Sequence, residues 1–304
     1  MTQLIRVRVP ATSANLGPGF DCLGLALDLW NEVTFSLEGD GFTYQVRGEG
    51  AEALNGQADN LLAQSFYRVY KMLGKNPPAD VLARAKNAIP LASGLGSSAA
   101  ATVVGLMGAN ALLGNPLAVG DLLKLAVEVE GHPDNAAPAL FGGLVISAEL
   151  EDEILTRRFE VPALRAVIVR PNVELLTRAS RAVLPHSVPR TDAVFNLSRV
   201  TLVVEALREG NLALLAKVME DKLHQPYRMA HIPGGRAAYL AARRFGAAAL
   251  SGAGPSLIAF VRESDAEAAL EAMRAAFGEA GIGSRGFSTR PTSSGATLTI
   301  SVEQ

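Results

Sequence analysis

Apolar residues at positions 5, 7 and 9 alternate with Arg6 and Arg8, and this period of two predicts a half-buried strand that Pro10 ends. Strands are also expected over 23–29, 32–37 and 42–46. The period changes at 61–73, LLAQSFYRVYKML, an amphipathic helix capped by Asp59 or Asn60. Residues 81–89 carry Arg84 and Lys86 among apolar neighbours and predict a half-exposed strand or sheet edge. A helix is expected over 122–130, introduced by Pro116 and Asp121 and stopped at Gly131-His132-Pro133-Asp134-Asn135. A strand follows over 141–147, and the acidic EDE at 151–153 reads as a solvent turn. From about residue 155 the texture changes. A strand over 164–170 and a short helix over 177–184 precede an amphipathic helical pair at 191–208 and 211–224. A helix over 235–245 leads into strands 247–250 and 257–261, which flank SGAGPS at 251–256. A helix over 266–277 and strands over 284–289 and 297–302 close the chain. Mixed order with both hairpin-like and crossover spacings predicts an α+β fold.

One stretch departs from every amphipathic pattern. From Asn87 to Gly120 there is no charged side chain. Within it PLASGLGSSAAATVVGLMGANALLG (90–114) opens with glycines and serines and passes into a helix. Ala99, Ala100, Val103, Val104, Leu106, Met107, Ala109 and Leu112 cover all its sides, so it should be buried all round. Its amino end has Ser93, Ser97 and Ser98 as hydroxyls, and Gly94 and Gly96 for tight turning and close approach. Unpaired N–H groups and the helix dipole there suit an anion. A membrane span is disfavoured, because Pro90, Asn110, Asn115, Pro116 and six glycines break the run and no basic flank marks it. A packing helix whose serines merely cap it is the plain structural alternative. Gly94-Leu95-Gly96-Ser97-Ser98-Ala99 also fits G-x-G-x-x-A, yet that fingerprint should follow a continuous apolar strand, not VLARAKNAI. No Lys-Ser/Thr pair follows the glycines, so the usual P-loop fits worse.

Composition narrows the class. The 304 residues, 49 % hydrophobic and 19 % charged, suit a globular protein of two domains or one large one. A net charge of −2 gives no footprint for nucleic acid. Cys22 is the single cysteine, which excludes an internal disulfide and a cysteine-rich zinc site, and it reads as a small buried residue. The amino terminus lacks the apolar core of a signal peptide, so a cytoplasmic enzyme is expected. His132, His186, His224 and His231 form no zinc pattern, and Pro226 separates the last two from a shared helix face.

Three segments in order resemble the GHMP kinase superfamily: the loop over 10–21, the Gly/Ser loop over 90–100, and SGAGPS at 251–256. PATSANLGPGFDCLG (10–24) is similar to homoserine kinases in particular, as are EGHPDNAAPALFGG (130–143), TRASRAVLP (177–185) and QPYR (225–228). The resemblance implies a ribosomal-protein-S5-like ATP-binding domain over 1–153 and a ferredoxin-like domain over 154–304. It also implies ATP- and Mg²⁺-dependent conversion of L-homoserine to O-phospho-L-homoserine, on the route to threonine, by a chain that is often a homodimer.

The same resemblance implies a residue set. The triphosphate is expected over Pro90, Leu91, Ala92, Ser93, Gly94, Leu95, Gly96, Ser97, Ser98, Ala99 and Ala100, with Asn60 and Lys86 near the adenine. Ser98 and Glu130 are expected at the metal, with Glu128 the fallback if the helix register differs. Homoserine needs acceptors and donors: Asn15, Asp21 and Asn135 for its ammonium and hydroxyl, Arg181 and Arg228 for its carboxylate, Thr177 and His132 beside them. Asn135, Arg181 and Thr177 are placed at the reacting end. Without the resemblance, the glutamates and arginines read as solvated helix ends and faces, while Asn15 and Asp21 stand out as hydrogen-bonding groups that a plain turn does not need, with turn capping the alternative. Asn135 cannot take a proton, which predicts catalysis by alignment and charge stabilisation, with Asp134 the nearest alternative base. Three other readings are open: another small-molecule kinase of the superfamily (for mevalonate, shikimate or a sugar), a Rossmann-type oxidoreductase, and a catalytically silent binding protein.

Overall fold

A computed structural model describes residues 2–162, 164–173, 175 and 177–303, the side chains of Thr177 and Arg178 excepted. The chain opens with strands β1 (Thr2–Ala14), β2 (Leu23–Ser36) and β3 (Phe42–Gly48), then the short helix α1 (Ala51–Leu54) and helix α2 (Leu61–Met72). Strand β4 (Val81–Asn87) leads into helices α3 (Ser97–Leu112), α4 (Val119–Glu130) and α5 (Pro133–Phe141), and then strands β5 (Leu144–Glu149) and β6 (Ile154–Phe159). The second half runs β7 (Arg165–Pro171), α6 (Thr177–Ala182), α7 (Arg190–Glu209), α8 (Leu212–Val218), α9 (Gln225–Met229) and α10 (Gly235–Arg243). Strands β8 (Ala247–Leu250) and β9 (Leu257–Val261), helix α11 (Ala266–Glu279), and strands β10 (Ser284–Thr289) and β11 (Thr297–Glu303) complete it.

A seven-stranded sheet carries the order β11-β1-β2-β4-β3, with β5 beside β2 and β6 beside β5. Its alternation is strict on β1, where Ile5, Val7 and Val9 are fully buried while Arg6 and Arg8 face solvent and pair with Glu32. The strand continues through Pro10, where a register shift against β2 absorbs the residue that cannot donate. The two strands expected over 23–29 and 32–37 are one, β2. β4 is no edge: it lies between β2 and β3, and Arg84 and Lys86 point away from the helices on its solvent face. Helix α3 packs at the centre, with Val103, Leu106 and Ala109 fully buried and the hydroxyl of Thr102 buried in its second turn.

A four-stranded antiparallel sheet, order β10-β7-β9-β8, forms the ferredoxin-like part. It is covered on both sides, so its inner strands are apolar between the arginines towards the ends of β7, Arg165 and Arg170. Val167 and Val169 pack towards α10 and α11, whereas Ala166 and Ile168 pack with Val203, Leu207 and Leu215 of α7 and α8. β6 and β11, both from the second half, hydrogen-bond into the first sheet.

Helix α1 and strand β6 have no counterpart in the sequence reading, and α5 and the segment after α8 also differ from it. Residues 133–141 form α5, because Pro133 suits a first helical turn and Pro138 falls where the chain tolerates it one turn later. The expected helix over 211–224 breaks after Val218. There Asp221 accepts hydrogen bonds from the backbone N–H groups of Leu223, His224 and Gln225 and starts α9 afresh. Among the described residues no helix is long and apolar enough to cross a membrane.

Candidate active site

Three glycine-bearing segments meet between the two sheets and are tied by backbone hydrogen bonds. Thr12 N–H donates to Leu95 O at 3.1 Å, Gly252 N–H to Ala14 O at 3.1 Å, and Ser256 N–H to Ser93 O at 3.4 Å. The fully buried Ser251 hydroxyl completes the junction, 2.7 Å from Gly94 O and 2.9 Å from Ser13 Oγ. Sequence reasoning found SGAGPS as a motif; the structure gives it the task of clamping the Gly/Ser loop against β1.

Around this junction lies a cavity of about 410 Å³. Its walls include Asn15, Asp21, Ala92, Ser93, Gly94, Gly96, Ser97, Ser98, Glu130, His132, Asp134, Asn135, Arg181 and Arg228. A neighbouring cavity of about 210 Å³ shares Leu61, Ala92, Ser97 and Ser98 with it and adds Tyr44, Asn60, Asn87, Leu91 and Ala100. The first turns of α2, α3 and α5 therefore open at one place. Each helix end offers an anion about 0.3–1 kcal/mol when exposed and up to about 2 kcal/mol when partly buried, against the roughly 4 kcal/mol of a millimolar site, so three converging ends supply a large share and loop N–H groups add to it.

The expected phosphate residues divide by burial. Leu95 and Ala99 are fully buried and serve packing, Pro90 is buried beneath the loop, and Ser93 turns inward to donate to Pro90 O at 2.8 Å. Gly96 caps α3 with φ +70°, and a Cβ there would lie 2.0 Å from Thr12 Oγ1. Only glycine fits. Lys86 lies outside the site: strand alternation sends it to the solvent face of β4, while Asn87 lines the smaller cavity. Asn60 does line that cavity, although its amide is spent on capping Ala63 N–H and donating to Gln57 O.

Glu130 and Glu128 take different environments. Ser98 Oγ donates to Glu130 Oε2 at 2.7 Å and Thr102 Oγ1 to Glu130 Oε1 at 2.9 Å, at the cavity wall. Glu128 faces outward and pairs with Arg68 at 2.5 Å. A carboxylate and a hydroxyl at the mouth of an anion site are hard oxygen donors, the set that suits Mg²⁺ with its remaining waters. A second group, Asp21, His132 and Asp134, has ligand atoms within 4.8 Å of one another. It does not fit a cation, because Arg181 already bridges both Asp21 oxygens at 2.8 and 2.9 Å and His132 Nδ1 is held by Asp134 at 2.5 Å.

The remaining expected residues come together around that group. Asn15 (φ +68°) and Asp21 (φ +59°) hold left-handed backbone, strain that the loop's hydrogen bonds sustain. Asn15 is committed at both ends, its Nδ2 to Gly252 O at 2.8 Å and its Oδ1 to Asp21 N–H at 3.0 Å, so it shapes the loop that presents Asp21. Asn135 Oδ1 accepts from Thr12 Oγ1 at 2.8 Å, leaving the amide nitrogen towards Asp134, 3.4 Å away. Burial works to lower the His132 pKa, but the Asp134 hydrogen bond and charge outweigh it and the net direction is up. Hydrogen bonding to Asp21 raises that of Arg181, and burial lowers that of Arg228. The side chain of Thr177 lies outside the described residues; its backbone opens α6. Thr12, Thr102 and Ser251 were not singled out by the sequence, since lone hydroxyls carry no signal until a partner far along the chain is placed beside them.

The GHMP kinases N terminal domain model matches residues 60–143 and the GHMP kinases C terminal model matches 203–279. The chain is 46 % identical to a homoserine kinase of Moorella thermoacetica over 91 % of its length and 93 % of the relative's. It is 43 % identical to one of Carboxydothermus hydrogenoformans over 96 % of both. The chain belongs to the homoserine kinase family. A solved homoserine kinase from Cytophaga hutchinsonii superposes with a TM-score of 0.84 at 33 % identity, covering 97 % of both chains. A mevalonate kinase from L. major shares the fold, with a TM-score of 0.72 at 16 % identity. The two-domain GHMP kinase architecture expected from the sequence is the one observed, and the Rossmann alternative is excluded by it.

Proposed function

We propose that this chain transfers the γ-phosphoryl group of ATP to the hydroxyl of L-homoserine, giving O-phospho-L-homoserine, and that the 410 Å³ cavity is where it does so. The observation that carries the reading is one cavity with two halves of opposite preference. Helix ends and Gly/Ser loop line one side, suited to a polyphosphate; an acid–guanidinium set of Asp21, Arg181 and Arg228 lines the other, suited to a zwitterion. A neutral sugar would leave those charges unanswered, and shikimate or mevalonate, each a carboxylate without an ammonium, would answer the arginines but not Asp21.

Asp21 offers acceptors to the ammonium, and Arg181 and Arg228 offer forked donors to the carboxylate. Entry of the amino acid exchanges the Arg181–Asp21 pair for two pairs with substrate. Asn135, its oxygen fixed by Thr12, presents its amide nitrogen to the hydroxyl oxygen and orients it. Ser98 and Glu130 would hold Mg²⁺, with Thr102 fixing the carboxylate. The ion, when bound, offsets negative charge on the transferring group. Among the described residues no free carboxylate stands ready as a strong base: Asp134 is buried and bound to His132, so alignment and charge stabilisation carry the reaction. The exposed Val194, Leu197 and Leu202 of α7 offer a face for the homodimer, and an ATP-using amino-acid kinase belongs in the cytoplasm.

A coupled ADP-release assay with L-homoserine, mevalonate and shikimate tests the assignment. ADP should form with homoserine alone; turnover of either other alcohol, with none of homoserine, would overturn it.

A further inference from the structure

His224 lines neither of the two cavities, yet it sits directly behind one of the substrate-side arginines. It precedes α9, one turn before Arg228, and the two are 0 % and 2 % exposed. Arg228 NH1 meets His224 Nδ1 at 3.2 Å, and across the ring Nε2 lies 2.8 Å from Gly17 O. A guanidinium only donates and a carbonyl only accepts. The ring is therefore neutral, with its hydrogen on Nε2 and its Nδ1 lone pair directed at Arg228. Burial pushes its pKa down, in keeping with that state.

The rest of the surroundings fix the ring without competing for it. Phe20 stacks on it at 5.2 Å between centroids and in turn lies 5.3 Å beneath the Arg228 guanidinium. Asp221, 3.6 Å from Nε2, is occupied by three backbone N–H groups and the Asn196 amide. Arg228 otherwise donates only to backbone, to Ser180 O at 3.2 Å and Gly252 O at 3.4 Å. Among the described residues it forms no ion pair, and His224 is its one side-chain acceptor. A carboxylate in that place would orient the fork and also neutralise it. A neutral imidazole orients it and leaves the charge for an incoming anion.

We infer that His224 is a positioning residue for the amino-acid substrate. Through Nδ1 it holds the Arg228 fork, and through Nε2 it ties the fork to the loop that carries Asp21, setting the separation between the groups that receive carboxylate and ammonium. The inference rests on the proposed role of Arg228 as a ligand of the homoserine carboxylate. Its test compares two variants that each keep half of the ring's hydrogen bonding. His224→Gln keeps a donor for Gly17 O and loses the acceptor; His224→Asn places an amide oxygen at the Nδ1 position. H224Q should raise KM for homoserine about tenfold, the loss of one hydrogen bond to a charged group, with KM for ATP within about twofold of the parent. H224N should restore KM for homoserine to within about threefold of the parent on the same scale. Equal rises in both variants, or a KM for ATP that climbs in step, would mean a packing role and overturn the inference. If H224Q does not fold, calorimetric homoserine binding by H224N decides: near-parental affinity supports the positioning role, and a tenfold loss or more overturns it. Arg228→Ala separates the two layers. No change in its KM for homoserine removes the Arg228 assignment itself, whereas a large change there with none in H224Q removes only the histidine's role.

Discussion

At the scale of single residues, the site is built from hydroxyls and amides that fix charged groups. Thr12 turns Asn135, Thr102 and Ser98 hold Glu130, and Ser251 pins Gly94. Asp134 is the residue on which the chemistry turns. It is 1 % exposed and spends one oxygen on His132 Nδ1. A general base contributes about 10²–10⁴-fold, so its removal would be unmistakable. Asp134→Asn should cost less than about 100-fold in kcat, the share expected from disturbed positioning alone, with homoserine still bound. A loss above about 1000-fold with homoserine binding intact would make Asp134 the base and contradict catalysis by alignment and charge stabilisation.

At the scale of elements, three helices begin at the cavity because each has a reason to start there. Asn60 caps α2, left-handed Gly96 caps α3, and Pro133 opens α5. The seat of α5 depends on one absent side chain. A Cβ on Gly24 of β2 would lie 1.8 Å from Asp134 O, so the helix reaches the strand only over glycine. Gly24→Ala should displace the first turn of α5 and cost roughly 1–3 kcal/mol of stability, as overpacking does. It should lower kcat more than Arg68→Ala, a change at an exposed pair outside the cavity. Circular-dichroism melting and steady-state rates check both; parental behaviour of G24A would contradict the packing described. Elements with a strong period or an unbroken apolar run were legible in the sequence. β8, β9 and β10 fall at the expected residues, and α2 and α3 within one or two positions. α5 was not, because two prolines in nine residues mask a helix whose first turn they favour. The break after α8 was hidden too, since Asp221 reads as an ordinary helix residue until its carboxylate caps the next turn.

Across the whole molecule, the two sheets share a boundary that neither half owns. Strand β11 pairs with the start of β1, and the SGAGPS turn is tied to the end of β1 through Gly252 N–H and Ala14 O. Most of the residues that the family resemblance singles out line one cavity. The resemblance could not place Lys86, whose side follows from strand alternation, or reveal His224, whose partners lie four and 207 residues away. That buried ring also sets a global pH dependence. Its folded-state pKa is lowered from an ordinary 6.5, chiefly by burial, against the pull of Asp221. The unfolded chain then binds a proton below pH 6.5 that the folded chain does not. Stability from the neutral ring is full above that value and is lost as the pH falls, by up to about 1.4 kcal/mol per pH unit. Thermal midpoints between pH 7 and pH 5 should fall less steeply in H224Q than in the parent; equal slopes would contradict the neutral, buried ring.

The central claim, that this cavity joins the phosphoryl group of ATP to the homoserine hydroxyl, is tested most directly by following phosphorus. ³¹P NMR of the protein with ATP, Mg²⁺ and L-homoserine should show a new phosphomonoester resonance growing in step with ADP. ADP accompanied by inorganic phosphate alone, or an unchanged ATP spectrum, would contradict it.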